Sequence, residues 1–325
     1  MKAIVVKEPG DAEQLHVTEQ PKPEVKTGEL LVNVKAAAIN RTDIVSREGK
    51  SGYLDNPILG VEVSGIVVKA GKGTNVEIGT RVMGLVNGGG YAEYAVIPAE
   101  RAMVIPESLS FEEGVAIPEV FLTAFQTLFW LGDLQSNETV LIHAGGSGVG
   151  TAAIQLAKQL MNADVITTAG SDKKLDYCRS LGADLCINYK EQNFAEEVLK
   201  ATSNQGANVI LDFIGASYWK QNLTSLTVDG RLILIGVLGG AEVEQVNLME
   251  LMAKRIQLKG TLLTPRSDQY KADLTRDFVN KAIPLFNKSK LKPVIDHVFP
   301  FDEVQKAHKH MESNKNIGKI ILRIT

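Results

Sequence analysis

The sequence predicts an α/β chain, with a doubly wound parallel-sheet domain in the middle and a β-rich domain before it. Three observations carry this expectation. At 325 residues the chain exceeds the usual size of a single core. Its texture changes near residue 122, from short apolar runs cut by Gly and Pro to apolar runs alternating with helical patterns. Between them, Thr139–Leu160 (TVLIHAGGSGVGTAAIQLAKQL) joins a strand-like run to an amphipathic helix through a glycine-rich turn.

Taken in order, the first domain offers β-like runs at Lys2–Lys7, Glu29–Ala38, Glu62–Ala70, Thr80–Leu85 and Tyr91–Ile97. Turn signals such as Glu8-Pro9-Gly10 and Asn87-Gly88-Gly89-Gly90 separate them, as in an irregular barrel or sandwich. In the middle, strands are expected at 139–144, 164–169, 184–188, 208–214, 231–237 and 256–263. Helical segments near 149–161, 173–181, 193–203, 216–227 and 247–254 fall between them, with Gly182 at a helix C′ position and Asp229-Gly230 as a turn into the fifth strand. Six such strands complete a doubly wound sheet of order 3-2-1-4-5-6. The tail from about 266 ends in a strand-like Lys319–Ile324 and is expected to fold back onto the first domain. The division is therefore 1–121 with 266–325, and 122–265.

The turn Gly145-Gly146-Ser147-Gly148-Val149-Gly150 is a G-x-G-x-x-G pattern with Ser in the middle place. It follows a strand and opens a helix whose apolar stripe runs Val149, Ala152, Ala153, Leu156, Ala157, Leu160. In that context the backbone N–H groups and the helix N-terminus suit a pyrophosphate, so the turn reads as a dinucleotide site.

Composition narrows the remaining classes. Hydrophobic content of 44% and charged content of 22% are those of an ordinary globular chain, and a net charge of −3 gives no general attraction to nucleic acid or to an anionic membrane. MKAIVVKEPG holds four apolar residues in a row, too few for a signal-peptide core, and the longest apolar run noted is Leu232–Gly240. Cys178 and Cys186 lack metal or redox spacing and read as buried thiols of a reducing compartment, so a cytoplasmic location is expected. His308 and His310, two apart on a helix, face different sides and make no metal pair.

With these elements in view, the chain resembles the medium-chain dehydrogenase/reductase superfamily and, within it, the zinc-independent quinone oxidoreductase branch. The resemblance runs over essentially the whole chain. It is strongest at AAAINRTDIV (36–45), VLIHAGGSGVGTAAIQLA (140–157), TAGSDKKL (168–175), VILDFIGASYW (209–219) and AHKHMESNKNIGKIIL (307–322). It implies a GroES-like first domain, a Rossmann middle domain and a homodimer. Zinc-dependent members carry Cys at the position of Asn40 and Gly-His-Glu at Gly60-Val61-Glu62; neither Asn nor Val can do a zinc ligand's work here, so no metal is expected.

The cofactor expected is NADPH. An NAD site places an acid at the end of the second strand, whereas Val165–Ala169 ends in Gly170-Ser171-Asp172-Lys173-Lys174. A hydroxyl followed by lysines suits a 2′-phosphate, and Asp172 reads as a helix-start acid. The resemblance adds Gly170, Lys174 and Tyr189 as adenosine-phosphate contacts, and Thr123 on the nicotinamide side. Phe213, Ile214, Gly236, Val237, Leu238, Leu262 and Leu263 lie at strand ends where such sheets bind ligands.

For the reacting end, Asn40, Asp43 and Tyr53 are the candidates to place an acceptor and hydrogen-bond its oxygen, although N-x-x-D also caps a helix. Val45 stands where several related reductases carry a tyrosine, leaving Tyr53 as the phenol. The expected activity is transfer of hydride from NADPH to a small quinone between the domains. The alternatives are an NADPH-dependent enone or enoyl-thioester reductase, and a cofactor-bound structural or RNA-binding protein. The only partner expected besides a second copy is that small molecule.

Overall fold

Near-continuous apolar runs such as Thr139–Ile142 and Ala207–Asp212 can be buried on both faces only in a parallel sheet covered by helices. The structure, a computed structural model describing residues 1–50 and 56–324, builds that sheet. Strands Leu185–Asn188, Asp164–Ala169, Thr139–Ile142, Ala207–Asp212, Leu226–Leu234 and Gln257–Gly260 lie side by side in this order, all parallel. This is the 3-2-1-4-5-6 arrangement the sequence predicts. Leu141, Ile166, Ile187, Ile210 and Leu232 pack with Phe194 and Val198 into one core on it.

The helix after the glycine turn, Gly148–Met161, is closed at both ends by local chemistry. Ser147 Oγ accepts from the Gly150 N–H at 3.0 Å, and Asn162 ends the helix in the left-handed region. Its residues Gly150–Ala157 are all buried, a wider covered surface than the single stripe expected. The strand Leu226–Leu234 starts earlier than expected, but its pairing is interrupted after Leu226 and resumes at Arg231, so Asp229, at φ 63° and held by two hydrogen bonds from Arg255, makes the turn expected before 231.

The described residues divide into two units, Met1–Leu122 with Leu263–Thr325, and Thr123–Leu262. In the first, a seven-stranded sheet runs Ile295–Pro300, Lys319–Arg323, Glu29–Ile39, Glu62–Ala70, Arg81–Leu85 and Ala102–Val104, with Tyr94–Pro98 also paired to Glu29–Ile39. Lys319–Arg323 lies antiparallel to Glu29–Ile39, so the tail completes the sheet begun by the N-terminal part. Val32, Val34, Ile39, Val63, Ile97 and Ile320 fill its core. A two-stranded sheet pairs Lys2–Val6 with Leu15–Glu19. Among the described residues one helical stretch, Phe111–Leu131, is apolar and long enough to cross a membrane, at mean hydropathy 1.4. It is a longer apolar run than Leu232–Gly240, and 78% of its most apolar window is buried inside the protein, as in a core helix.

The packing at Gly150 is tight enough to test. A Cβ there would run into the Ala144 carbonyl oxygen and stand 2.7 Å from the Gly145 Cα, both backbone atoms that cannot swing away. Gly150→Ala should therefore cost about 1–3 kcal/mol and lower Tm by several degrees. An unchanged melting curve would show that the turn is looser than described.

Candidate functional site

In the second unit the strand order reverses at Thr139–Ile142, whose neighbours are Asp164–Ala169 on one side and Ala207–Asp212 on the other. Ligands bind such sheets beyond the carboxyl ends of the strands at this switch point. The glycine turn begins there. Ala144 takes φ 51°, the Gly145 N–H donates to the Thr168 carbonyl at 2.9 Å, and the Ser147 N–H closes onto the Ala144 carbonyl at 2.8 Å. Ser147 Oγ accepts the Gly150 N–H in the helix cap, so what this turn can offer a phosphate is the Ser147 O–H and the backbone N–H groups of Gly148 and Val149.

Beside it, the end of the second strand gathers the other expected residues. A Cβ on Gly170 would stand 2.6 Å from Tyr189 Oη and 3.1 Å from Lys190 Cε, so these two side-chain ends close over the glycine. Ser171 is the N-cap residue of helix Asp172–Ser180, yet its side chain makes no capping bond. Asp172 lies in the first turn of that helix, where the helix dipole favours an acid. The carbons of Lys174 lie 3.0–3.3 Å from where a Gly146 Cβ would be, which sets this lysine over the glycine turn. Lys190 was not anticipated. Its signal was its place right after Tyr189 at the end of the third strand, and it joins the same corner.

The remaining strand-end residues divide by exposure. Val237 (54%), Leu238 (64%) and Leu262 (53%) are large apolar side chains left in solvent, while Phe213 and Leu263 are buried. Gly236 approaches Phe213, and the Leu238 and Gly239 N–H groups donate to the Phe213 and Ile214 carbonyls at 3.1 and 2.7 Å. An exposed apolar ledge at neighbouring strand ends is what a planar ligand would cover. Thr123 is buried in helix Pro118–Phe125, its carbonyl accepting from Thr127 Oγ1 at 2.8 Å.

In the first unit Asn40 precedes helix Arg41–Arg47, and Asp43 Oδ2 accepts from its backbone N–H at 2.8 Å, the capping arrangement the spacing allows. The Asn40 side chain points elsewhere. Its Nδ2 donates to Glu62 Oε1 at 2.8 Å and to the Ala38 carbonyl at 3.3 Å, while its Oδ1 accepts from Lys319 Nζ at 2.6 Å. Lys319 also donates to Glu62 Oε1 at 2.7 Å and to the Ile39 carbonyl at 3.3 Å, and Glu62 Oε2 takes the Glu119 N–H at 2.8 Å. A carboxylate, an amide and an ammonium thus satisfy one another in a site closed to solvent. This donor set does not fit zinc: it holds neither a thiolate nor an imidazole, and the carboxylate already faces a cation.

Asp43 is the node of a second network. Its oxygens accept from Asn40 N–H, from Gly60 N–H at 3.2 Å and from Tyr91 Oη at 3.0 Å. Burial pushes its carboxyl up to about 6, against those hydrogen bonds and the Lys319 charge. Beyond it, Tyr91 Oη meets His308 Nε2 at 3.3 Å, and Arg47 reaches His308 Nδ1 at 3.2 Å and Glu312 at 2.5 Å. Arg47 can only donate, so Nδ1 is bare and Nε2 carries the proton toward Tyr91. Burial, with the Arg47 charge, holds the His308 imidazole down to about 3. His310 instead contacts Asp296, so the two histidines serve different partners. Tyr53 lies outside the described residues.

Comparisons with known proteins agree with this fold. Residues 26–107 match the family described as alcohol dehydrogenase GroES-like domain, and residues 148–280 the family described as zinc-binding dehydrogenase. The latter match lies outside the Asn40–Glu62 region. The mouse synaptic vesicle membrane protein VAT-1 homolog-like is 33% identical over 100% of this chain and 81% of its own length. The Escherichia coli quinone oxidoreductase complexed with NADPH superposes with a TM-score of 0.90 at 28% identity, over the full length of both chains. A structure described as an NAD-dependent alcohol dehydrogenase also reaches 0.90, at 31% identity and full coverage of both.

The buried His308 has a consequence for acid stability. Its folded pKa lies below the ordinary value, so its stabilising contribution is complete above about pH 6.5 and is lost as pH falls toward 3. Between pH 6.5 and 4 this amounts to about 3 kcal/mol. Asp43, raised to about 6, works in the opposite direction below that pH. His308→Gln should therefore be less stable at pH 7 but show a flatter loss of Tm from pH 6.5 to 4. Parallel wild-type and mutant curves would remove His308 from the acid response.

Proposed function

Because the chain belongs to the medium-chain dehydrogenase/reductase superfamily of oxidoreductases, in its zinc-independent quinone oxidoreductase branch, we propose that it is an NADPH-dependent reductase of small quinones. The observation that carries this reading is the corner at Gly170. There the Tyr189 phenol and Lys190 lie against Gly170, Ser171 follows with a side chain that makes no capping bond, and Lys174 lies over Gly146 of the glycine turn at the switch point of the sheet. Such a corner fits the 2′-phosphate of NADP better than a ribose diol.

When bound, the nicotinamide supplies the hydride. The chain's residues have the other tasks: Gly148 and Val149 present backbone N–H groups to the pyrophosphate, and Lys174 and Lys190 neutralise the 2′-phosphate. Val237, Leu238 and Leu262 keep water from the planar groups. Asn40 and Asp43 belong to this reading as positioning residues, since every hydrogen of the Asn40 amide is already committed. Tyr53 stays in it as the phenol on the acceptor side.

NADPH should bind more tightly than NADH. Lys174→Ala should weaken NADPH by about 1.5–3 kcal/mol, roughly ten- to a hundredfold, with little change for NADH. Equal affinities in the wild type would sink the assignment. Loss of NADPH absorbance with a panel of quinones and enones names the acceptor class.

Activity should also survive exhaustive chelation. Lys319 already supplies the positive charge beside Glu62, so no metal is needed to hold the carboxylate. Stoichiometric tightly bound zinc, with activity lost on its removal and restored on its return, would overturn this.

A further inference from the structure

We propose that His143 is a positioning residue for the nicotinamide cofactor, fixing through Thr168, Asn222 and Asp212 the strand ends from which the cofactor-facing segments leave the sheet. The proposal rests on the cofactor reading above and extends it to residues under the site. His143 follows the strand Thr139–Ile142 and is fully buried. Its Nδ1 lies 2.9 Å from Thr168 Oγ1 and its Nε2 lies 2.7 Å from Asn222 Oδ1. Asn222 Nδ2 donates to Asp212 Oδ2 at 2.9 Å, and Asp212 Oδ1 accepts from the Ile214 and Gly215 N–H groups at 2.7 and 3.2 Å.

The direction of every bond follows from chemistry. The Asn222 nitrogen is spent on a carboxylate, so its oxygen faces His143 and can only accept. Nε2 therefore carries a proton. Burial holds the imidazole pKa down to about 4, so the ring is neutral near pH 7, Nδ1 is bare, and the Thr168 hydroxyl donates to it.

Position is what turns a satisfied core histidine into a functional one. His143 stands two residues before Gly145, Thr168 two before Gly170, and Asp212 one before Phe213. Each member of the chain thus sits where a strand gives way to a candidate cofactor segment. Asn222 comes from helix Trp219–Ser225 and joins the two sides of the switch point through His143. A second route runs through rings. His143 meets Tyr218 at 4.8 Å between centroids, Tyr218 meets Tyr189 at 6.2 Å, and the Tyr189 hydroxyl covers Gly170. The imidazole therefore supports the 2′-phosphate corner from the Thr168 side and from the Tyr189 side.

The test measures NADPH and NADH affinities by fluorescence titration, well below the lowest Tm of the set. Thr168→Val keeps the branched shape and replaces the hydroxyl with a methyl group, so it reads the phosphate arm even if His143→Gln fails to fold. The expected result is a three- to tenfold drop in NADPH affinity with NADH within twofold, and recovery of the wild-type ratio in Thr168→Ser. A purely structural role would lower Tm and weaken both dinucleotides alike, and that outcome overturns the proposal. So does a Thr168→Val protein with unchanged affinities while the wild type prefers NADPH. Wild-type protein that binds neither dinucleotide, or shows no preference, overturns the cofactor reading and the proposal with it.

Discussion

The first unit is organised around one buried ion pair, Lys319 with Glu62, and little near Asn40 could keep its place without it. Lys319 and Glu62 are 257 positions apart, so the pair fastens the last strand of the sheet to one of its central strands. Glu62 also accepts the Glu119 N–H in the first turn of helix Pro118–Phe125, and the ammonium holds the Asn40 amide at the mouth of helix Arg41–Arg47. A buried pair of this kind gains little over an apolar replacement, but removing one partner costs about 3–5 kcal/mol because the other charge is stranded. What the arrangement secures is geometry: all three ammonium hydrogens and both carboxylate oxygens are used, leaving one low-energy way to close the sheet.

The second unit faces the same problem, polar groups buried at strand ends, and answers it without a cation. There the chain Thr168–His143–Asn222–Asp212 ends on backbone N–H groups, so the only charge is the Asp212 carboxylate, and burial raises its pKa. Neutral links suit a place next to which phosphates are to bind, because a fixed buried cation would draw the anion away from the turn. The two units thus use opposite means for one end, holding strand termini that carry function.

Much of this was legible in the sequence. The six parallel strands and their order follow from apolar runs of four to six residues separated by helix-length patterns, and the glycine turn announced the switch point. Elements with weak patterning escaped. Leu15–Glu19 has a single buried residue, Ala102–Val104 is three residues long, and Ile295–Pro300 has none that is fully buried. The site was legible where its residues are neighbours in sequence, as at 145–150 and 170–174. It was illegible where long-range pairing brings them together. Nothing local marks Lys319 as the partner of Glu62, or His308 as the partner of Tyr91, 217 positions away. His143 could be seen but not interpreted, since a histidine in a buried strand end takes its meaning from the groups on neighbouring strands.

The saturation of these networks bears on how a reductase of this form would handle its acceptor. Hydride transfer builds negative charge on the acceptor oxygen, which calls for a donor aimed at it. The Asn40 amide and the Lys319 ammonium have no free hydrogen, and the Tyr91 hydroxyl points its hydrogen at Asp43. Their hydrogen bonds are spent on one another, in a site closed to solvent whose charges cancel locally. A quinone needs less than a ketone does, because the charge it gains is spread over a conjugated ring and both oxygens. The closed hydrogen-bond account around Asn40 thus leaves its described neighbours as supports of the sheet, and the free donor that a developing oxyanion calls for would have to come from outside this network.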